Sequence, residues 1–131
     1  MEKRAQSATE LIVLSAVLLV VFLAFMSVIS TRNQVSFALS KQFYAQEVGY
    51  TVSGAINDVY ISGSNTNKSV FIPGKLKNQI DYNITVSARI LKIAYSGSEV
   101  GFTLVTNNIS GTFIKGDWNQ IVNNRGVIEI G

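Results

Sequence analysis

Few residues in this chain are placed to do chemistry, and the clearest of them is one carboxylate. Gln6-Ser7-Ala8-Thr9-Glu10 runs directly into an uncharged stretch from Leu11 to Thr31. A carboxylate at the mouth of a bilayer-length apolar segment is costly unless it finds a partner. A plain membrane anchor gains nothing from Glu10, whereas a helix that will pack against copies of itself can pair it. The chain has no cysteine and no histidine. Those absences remove thiol nucleophiles, disulfides, the usual zinc sites and the commonest general base. Asp58, Asp81, Glu99, Asp117 and Glu129 are scattered, and no two sit in the context of a catalytic dyad or an oxygen-ligand metal loop. There is no phosphate-cradling glycine loop and no nucleophile elbow. Neither an enzyme nor a cofactor is expected.

Three Asn-X-Ser/Thr acceptors for glycosylation occur, at Asn67, Asn83 and Asn108. Their number is what this Asn and Ser/Thr content gives by chance, so the count carries no weight. Their placement beyond the apolar run suits a surface glycoprotein, and Asn67 and Asn108 fall in predicted turns. Trp118, Phe113 and Tyr95 admit a sticky patch for a surface or a sugar, but aromatics in so small a β domain are expected mostly in the core. Asp117-Trp118, after Gly116, reads as a loop. The net charge of +3 is thinly spread: lysines 68, 75, 77, 92 and 115 alternate with apolar or small residues. No nucleic-acid footprint is indicated.

Two kinds of element must position these residues. Residues 11–31, at ~1.5 Å per residue, reach roughly 30 Å, the thickness of a hydrocarbon core. The run exceeds the ~7–15 apolar residues of a usual secretory signal. Lys3 and Arg4 precede it and only Arg32 follows closely, so the N-terminus is expected inside and residues 33–131 outside. Beyond Arg32 the apolar positions become periodic. Tyr44, Val48, Val52, Ala55 and Val59 are spaced 4, 4, 3 and 4, which marks one helical face. Gly49 and Gly54 each cost about 1 kcal/mol against Ala and suggest a bend. The turn formers Gly63-Ser64-Asn65-Thr66-Asn67 then stop the pattern. One helix from about Ser7 to Ile61 is predicted, too long to bury its full length in a seventy-residue domain.

From Val70 the period becomes two. Tyr82, Ile84, Val86, Ala88 and Ile90 alternate, then Leu91, Ile93 and Tyr95 continue one residue out of phase, which predicts a bulge or corner near Arg89–Leu91. Val100 to Leu104, Ile109 to Phe113 and Val127 to Ile130 read as further strands, and Ser96-Gly97-Ser98, Pro73-Gly74 and Asn107-Asn108 as turns. The expected class is α+β: a long N-terminal α-helix with an apolar first half, followed by a small antiparallel β domain covered on one face by the second half of the helix.

The N-terminus resembles the archaeal type IV pilin-like proteins with a class III signal peptide. In that family a short basic leader precedes a mature chain with Gln first, Ser third, Glu fifth and Leu ninth. Gln6, Glu10 and Leu14 stand at the matching positions, Ala8 stands where the family usually has Ser, and Lys3-Arg4-Ala5 looks like the end of the leader. The resemblance implies a leader of residues 1–5, a helix over 6–62 that is first a membrane span and then a filament core, and an extracellular β domain over 63–131. It implies cleavage between Ala5 and Gln6 by a prepilin peptidase, with Gln6, Glu10 and Leu14 serving assembly. The partners it implies are membrane lipid, a pilus assembly platform in the membrane, and other copies of the chain in a helical homo-oligomer, a surface filament for adhesion. Two other readings stay open. One is a monomeric β-domain binding module held by the helix as an anchor. The other is the same module secreted after cleavage behind Val28-Ile29-Ser30.

Overall fold

The computed structural model describes residues 2–131, with side chains from Gln6 onward except that of residue 78. One helix, α1, spans Glu2–Ile61. Seven strands follow: β1 (Asn67–Ile72), β2 (Tyr82–Ser87), β3 (Ile90–Tyr95), β4 (Ser98–Thr103), β5 (Ile109–Gly111), β6 (Asp117–Asn124) and β7 (Val127–Ile130). A single 3-10 turn, Lys77–Gln79, lies between β1 and β2. The layout is α+β, a long helix and then a β region, as the change of period implies. By its internal contacts the chain divides into two compact units, Met1–Ala38 and Leu39–Gly131, so the division falls inside α1 and not at its end.

The second unit has one hydrophobic core, to which the helix and both of its sheets contribute. From α1 come Ala45, Val52, Ala55, Ile56 and Val59, all buried, with Tyr44 and Val48 packed at the margin. Burying an aliphatic side chain stabilises by roughly 1.5–3 kcal/mol, so this face outweighs the helix penalty of the two glycines. The helix is continuous through both glycines. Gly49 is instead a packing position: a Cβ there would overlap the ring of Phe102. Gly54 faces open space. At the C-terminal end of α1, the N–H of Ser62 donates to Asp58 O at 2.9 Å, and Gly63 takes the left-handed conformation (φ +92°) that ends a helix.

The strands form a four-stranded sheet, ordered β1-β6-β7-β5, and a three-stranded antiparallel sheet, ordered β2-β3-β4. The slip near Arg89 is a two-residue hairpin turn, not a bulge. Ser87 pairs with Ile90, so Tyr82, Ile84 and Val86 stand opposite Tyr95, Ile93 and Leu91 on the inner face. The chain reverses there, which inverts the phase of the alternation and leaves Ala88 and Ile90 outside. Ser96-Gly97 and Arg125-Gly126 make the other two-residue turns, each with both residues at positive φ, matching the right-handed twist of their strands.

Three expectations need correction. The sheets are not wholly antiparallel, since β5 runs parallel to β7, with Ile109 opposite Ile128. Asp117-Trp118 is no loop but the start of β6, the longest strand. Its inward positions are Asn119, Ile121 and Asn123, and two buried amides in three hide the period of two. Asn67 lies at the start of β1, not in a turn.

Candidate functional site

Four regions bear on function. The first is the N-terminal motif. Gln6 and Glu10 lie one helical turn apart, and Gln6 Nε2 donates to Glu10 Oε1 at 3.4 Å. Leu14 lies one further turn along and is exposed. Every residue from Gln6 to Leu39 is exposed, and the helix carries a segment long and apolar enough to cross a membrane, compatible with an anchor or a signal sequence. The leader 1–5, with Ala5, lies outside the residues whose side chains are described.

The second region is the set of glycosylation acceptors, all exposed. Asn67 opens β1, Asn83 lies on β2, and Asn108 sits in the loop before β5, where its N–H donates to Thr106 Oγ1 at 3.1 Å. The third is aromatic. Tyr95 is buried and Phe113 packs at the edge of the core, as expected of a small β domain. Trp118 is the exception: it is 66% exposed and pairs with Phe71 of β1, ring centroids 5.6 Å apart. An open crevice of about 250 Å³ lies between α1 and the β1–β2 connection, floored by Val48, Val52 and Leu76. At its rim Lys77 Nζ sits 4.9 Å from the Tyr44 ring.

The fourth region is a set of side-chain amides that hold the loops in place. Asn123, on β6, donates from Nδ2 to Val59 O at 3.2 Å and Tyr60 O at 3.3 Å, and accepts the Gly126 N–H on Oδ1 at 2.8 Å. It thereby caps orphan carbonyls of the last turn of α1 and braces the β6–β7 hairpin. Asn119 accepts the Ile114 N–H at 2.6 Å and donates to Ile114 O at 2.8 Å and Asp117 O at 3.1 Å, which straps the loop before β6. Asn57 accepts the Val105 N–H at 3.0 Å. Among the described residues no buried side-chain polar atom is left without a partner. Sequence reasoning missed these amides because an isolated Asn looks the same in a turn as in a core. The available signal was Arg125-Gly126, a hairpin turn that requires a strand before Val127.

The chemistry of these groups is positional. Tyr82 is buried, its hydroxyl donates to Pro73 O, and burial pushes its pKa up to about 12. Lys115 Nζ donates to Tyr82 O at 2.7 Å. Among the described residues no three His, Cys, Asp or Glu side chains gather to hold a metal ion. No family model, curated protein or solved structure matches the chain.

Proposed function

We propose that the chain is a pilin, the structural subunit of an archaeal type IV pilus-like surface filament used for adhesion. Before assembly it waits as a single-pass membrane protein with Lys3 and Arg4 inside. A prepilin peptidase removes residues 1–5 between Ala5 and Gln6, and an assembly platform extracts the product from lipid. The helices bundle into a homo-oligomeric core, and the β units face outward, where Asn67, Asn83 and Asn108 are placed to carry glycans. The role is structural, not catalytic.

The observation that carries this reading is the exposure of Leu11 to Ile29 on every face, with the single carboxylate of Glu10 at its mouth. Helices in such a core gain little from hydrophobicity alone, since lipid is equally apolar, so packing and polar pairing must set their register. Cleavage creates an α-amine at Gln6, one turn from Glu10. Amine and carboxylate then neutralise each other, where either alone among packed apolar helices would cost several kcal/mol.

N-terminal sequencing of surface material separates the readings. A start at Gln6 supports the pilin, a start at Thr31 the secreted module, and a start at Met1 the anchored module. Glu10→Ala is expected to abolish or disorder filaments, seen by electron microscopy, while membrane insertion persists. Normal filaments from that variant would remove the role assigned to the carboxylate.

A further inference from the structure

Two features of the globular unit are explained neither by its core nor by the N-terminal motif: the open crevice beside Phe71 and the exposed ring of Trp118. Phe71 adjoins both. It lines the crevice, and its ring packs against Trp118 with centroids 5.6 Å apart. Trp118 itself does not line the crevice of its own chain and is 66% exposed. The floor of the crevice is aliphatic, made by Val48 and Val52 of α1 and Leu76 of the β1–β2 connection, and its volume is about 250 Å³. A cavity of ~150 Å³ holds a benzene ring, so this one has room for the two fused rings of an indole.

The rim of the crevice carries both signs of charge. Lys75 and Lys77 stand on the connection and Glu47 on the helix. Lys75 reaches Asp81 only at 3.9 Å, and Lys77 Nζ lies over the Tyr44 ring, so both keep their charge in reach of an occupant. The Glu47 carboxylate enters none of the ion pairs among the described residues. At the base of the Trp118 side chain the charge is negative: Asp117 Oδ1 accepts the Trp118 N–H at 2.7 Å. Lys115 is turned onto Tyr82, whose carbonyl it meets at 2.7 Å and whose ring lies 5.4 Å away. A buried indole also needs an acceptor for its one N–H. A sugar ring would set its hydroxyls against an aliphatic floor, and a phosphate would meet Glu47 as a like charge. An indole with a carboxylate at its base matches both floor and rim.

We infer that Trp118 of one copy of the chain seats in the crevice of a second copy. Its ring rests on Val48, Val52 and Leu76, its indole N–H donates to the Glu47 carboxylate, and Asp117 meets Lys75 and Lys77. This contact between neighbouring β units presupposes the filament proposed above. A buried indole supplies about 150–250 Å², well short of the ~800 Å² per partner of a stable complex. The contact alone is therefore weak, with a Kd of about 0.1–1 mM, and it holds between copies that the helix bundle has already brought together.

Trp118 is the only tryptophan, so its fluorescence reports the contact directly. The unprocessed full chain is studied in polyoxyethylene detergent at a fixed protein-to-detergent ratio. As its concentration passes the range of that Kd, the emission should shift to the blue and acrylamide quenching should fall about twofold. Thr51→Phe, at the margin of the crevice, fills it and should remove this protection. Trp118→Ala, silent in fluorescence but with an open crevice, should restore protection when added in excess to the Thr51→Phe chain. Lys75→Glu with Lys77→Glu in the added chain should cancel that rescue, and Asp117→Lys in the Thr51→Phe chain should bring it back. Thermal midpoints close to the parent's show that each variant is folded. Quenching that is the same at every concentration overturns the inference. So does protection that survives Thr51→Phe, an absent rescue by Trp118→Ala, or protection of the dilute chain by hexasaccharides or lipid vesicles. The start of the mature chain and the effect of Glu10→Ala are independent of these results, so the filament stands or falls separately.

Discussion

Residues 11–31 and residues 44–59 belong to one helix, yet the first segment exposes every side chain while the second buries Ala45, Val52, Ala55, Ile56 and Val59 in a single core. The difference lies in arrangement, since both segments are rich in apolar residues. The second segment confines its buried residues to one stripe, which a sheet can cover while the opposite face meets water. The first is apolar all round, a pattern compatible with a membrane anchor or a signal sequence. A helix therefore announces its eventual surroundings through the angular spread of its apolar residues as much as through their number.

Paired substitutions put this contrast at risk. Ile56→Ala should destabilise the globular unit by about 2–5 kcal/mol, because it leaves a cavity in a packed core. The same deletion in the exposed segment, Leu18→Ala, should leave unfolding of that unit unchanged. Near-ultraviolet circular dichroism of the full chain in detergent measures both, and equal effects would break the distinction. Gly49→Ala should cost about 1–3 kcal/mol through collision with Phe102.

A third prediction tests how the buried side of the helix is held, through Tyr82 in the sheet it covers. Its phenol has a pKa of about 12 in the folded chain against 10 for an ordinary tyrosine. A raised pKa contributes stability that is fully present below pH 10 and is lost as pH rises through about 12. Alkaline titration should therefore remove about 1–2 kcal/mol over that window, and Tyr82→Phe should flatten the dependence. The smallest expected effect is a gain. Gly54→Ala, on the open side of the same helical segment, should stabilise by up to about 1 kcal/mol, since no neighbour opposes the added methyl group. A loss at Gly54 as large as that at Gly49 would show that the two sides of the segment are not distinct.

Much of this architecture was legible in advance for reasons that differ by element. The end of α1 followed from a 3.6-residue period and a glycine stop at Gly63, whereas its start lies at Glu2, ahead of the expected Ser7. The hairpin at Ser96-Gly97 followed from turn chemistry flanked by alternation. β6 was not legible, because Asn119 and Asn123 occupy inward positions, and Asn123 finds its partners in the last turn of α1, 64 and 63 residues away. The candidate sites divide in the same way. Gln6, Glu10 and Leu14 stand in one local motif whose spacing is readable without a fold, whereas the Phe71–Trp118 pair joins residues 47 positions apart.

Local pattern alone determined where the helix ends, its two contrasting halves, the hairpin turn at Ser96-Gly97 and the position of the carboxylate, because each depends on residues within a turn or two of one another. Only tertiary structure decided which strands are neighbours, that β5 runs parallel to β7, that Gly49 is room for Phe102, and that Trp118 faces solvent. Those outcomes depend on which distant segments meet, and no period in a linear chain records that.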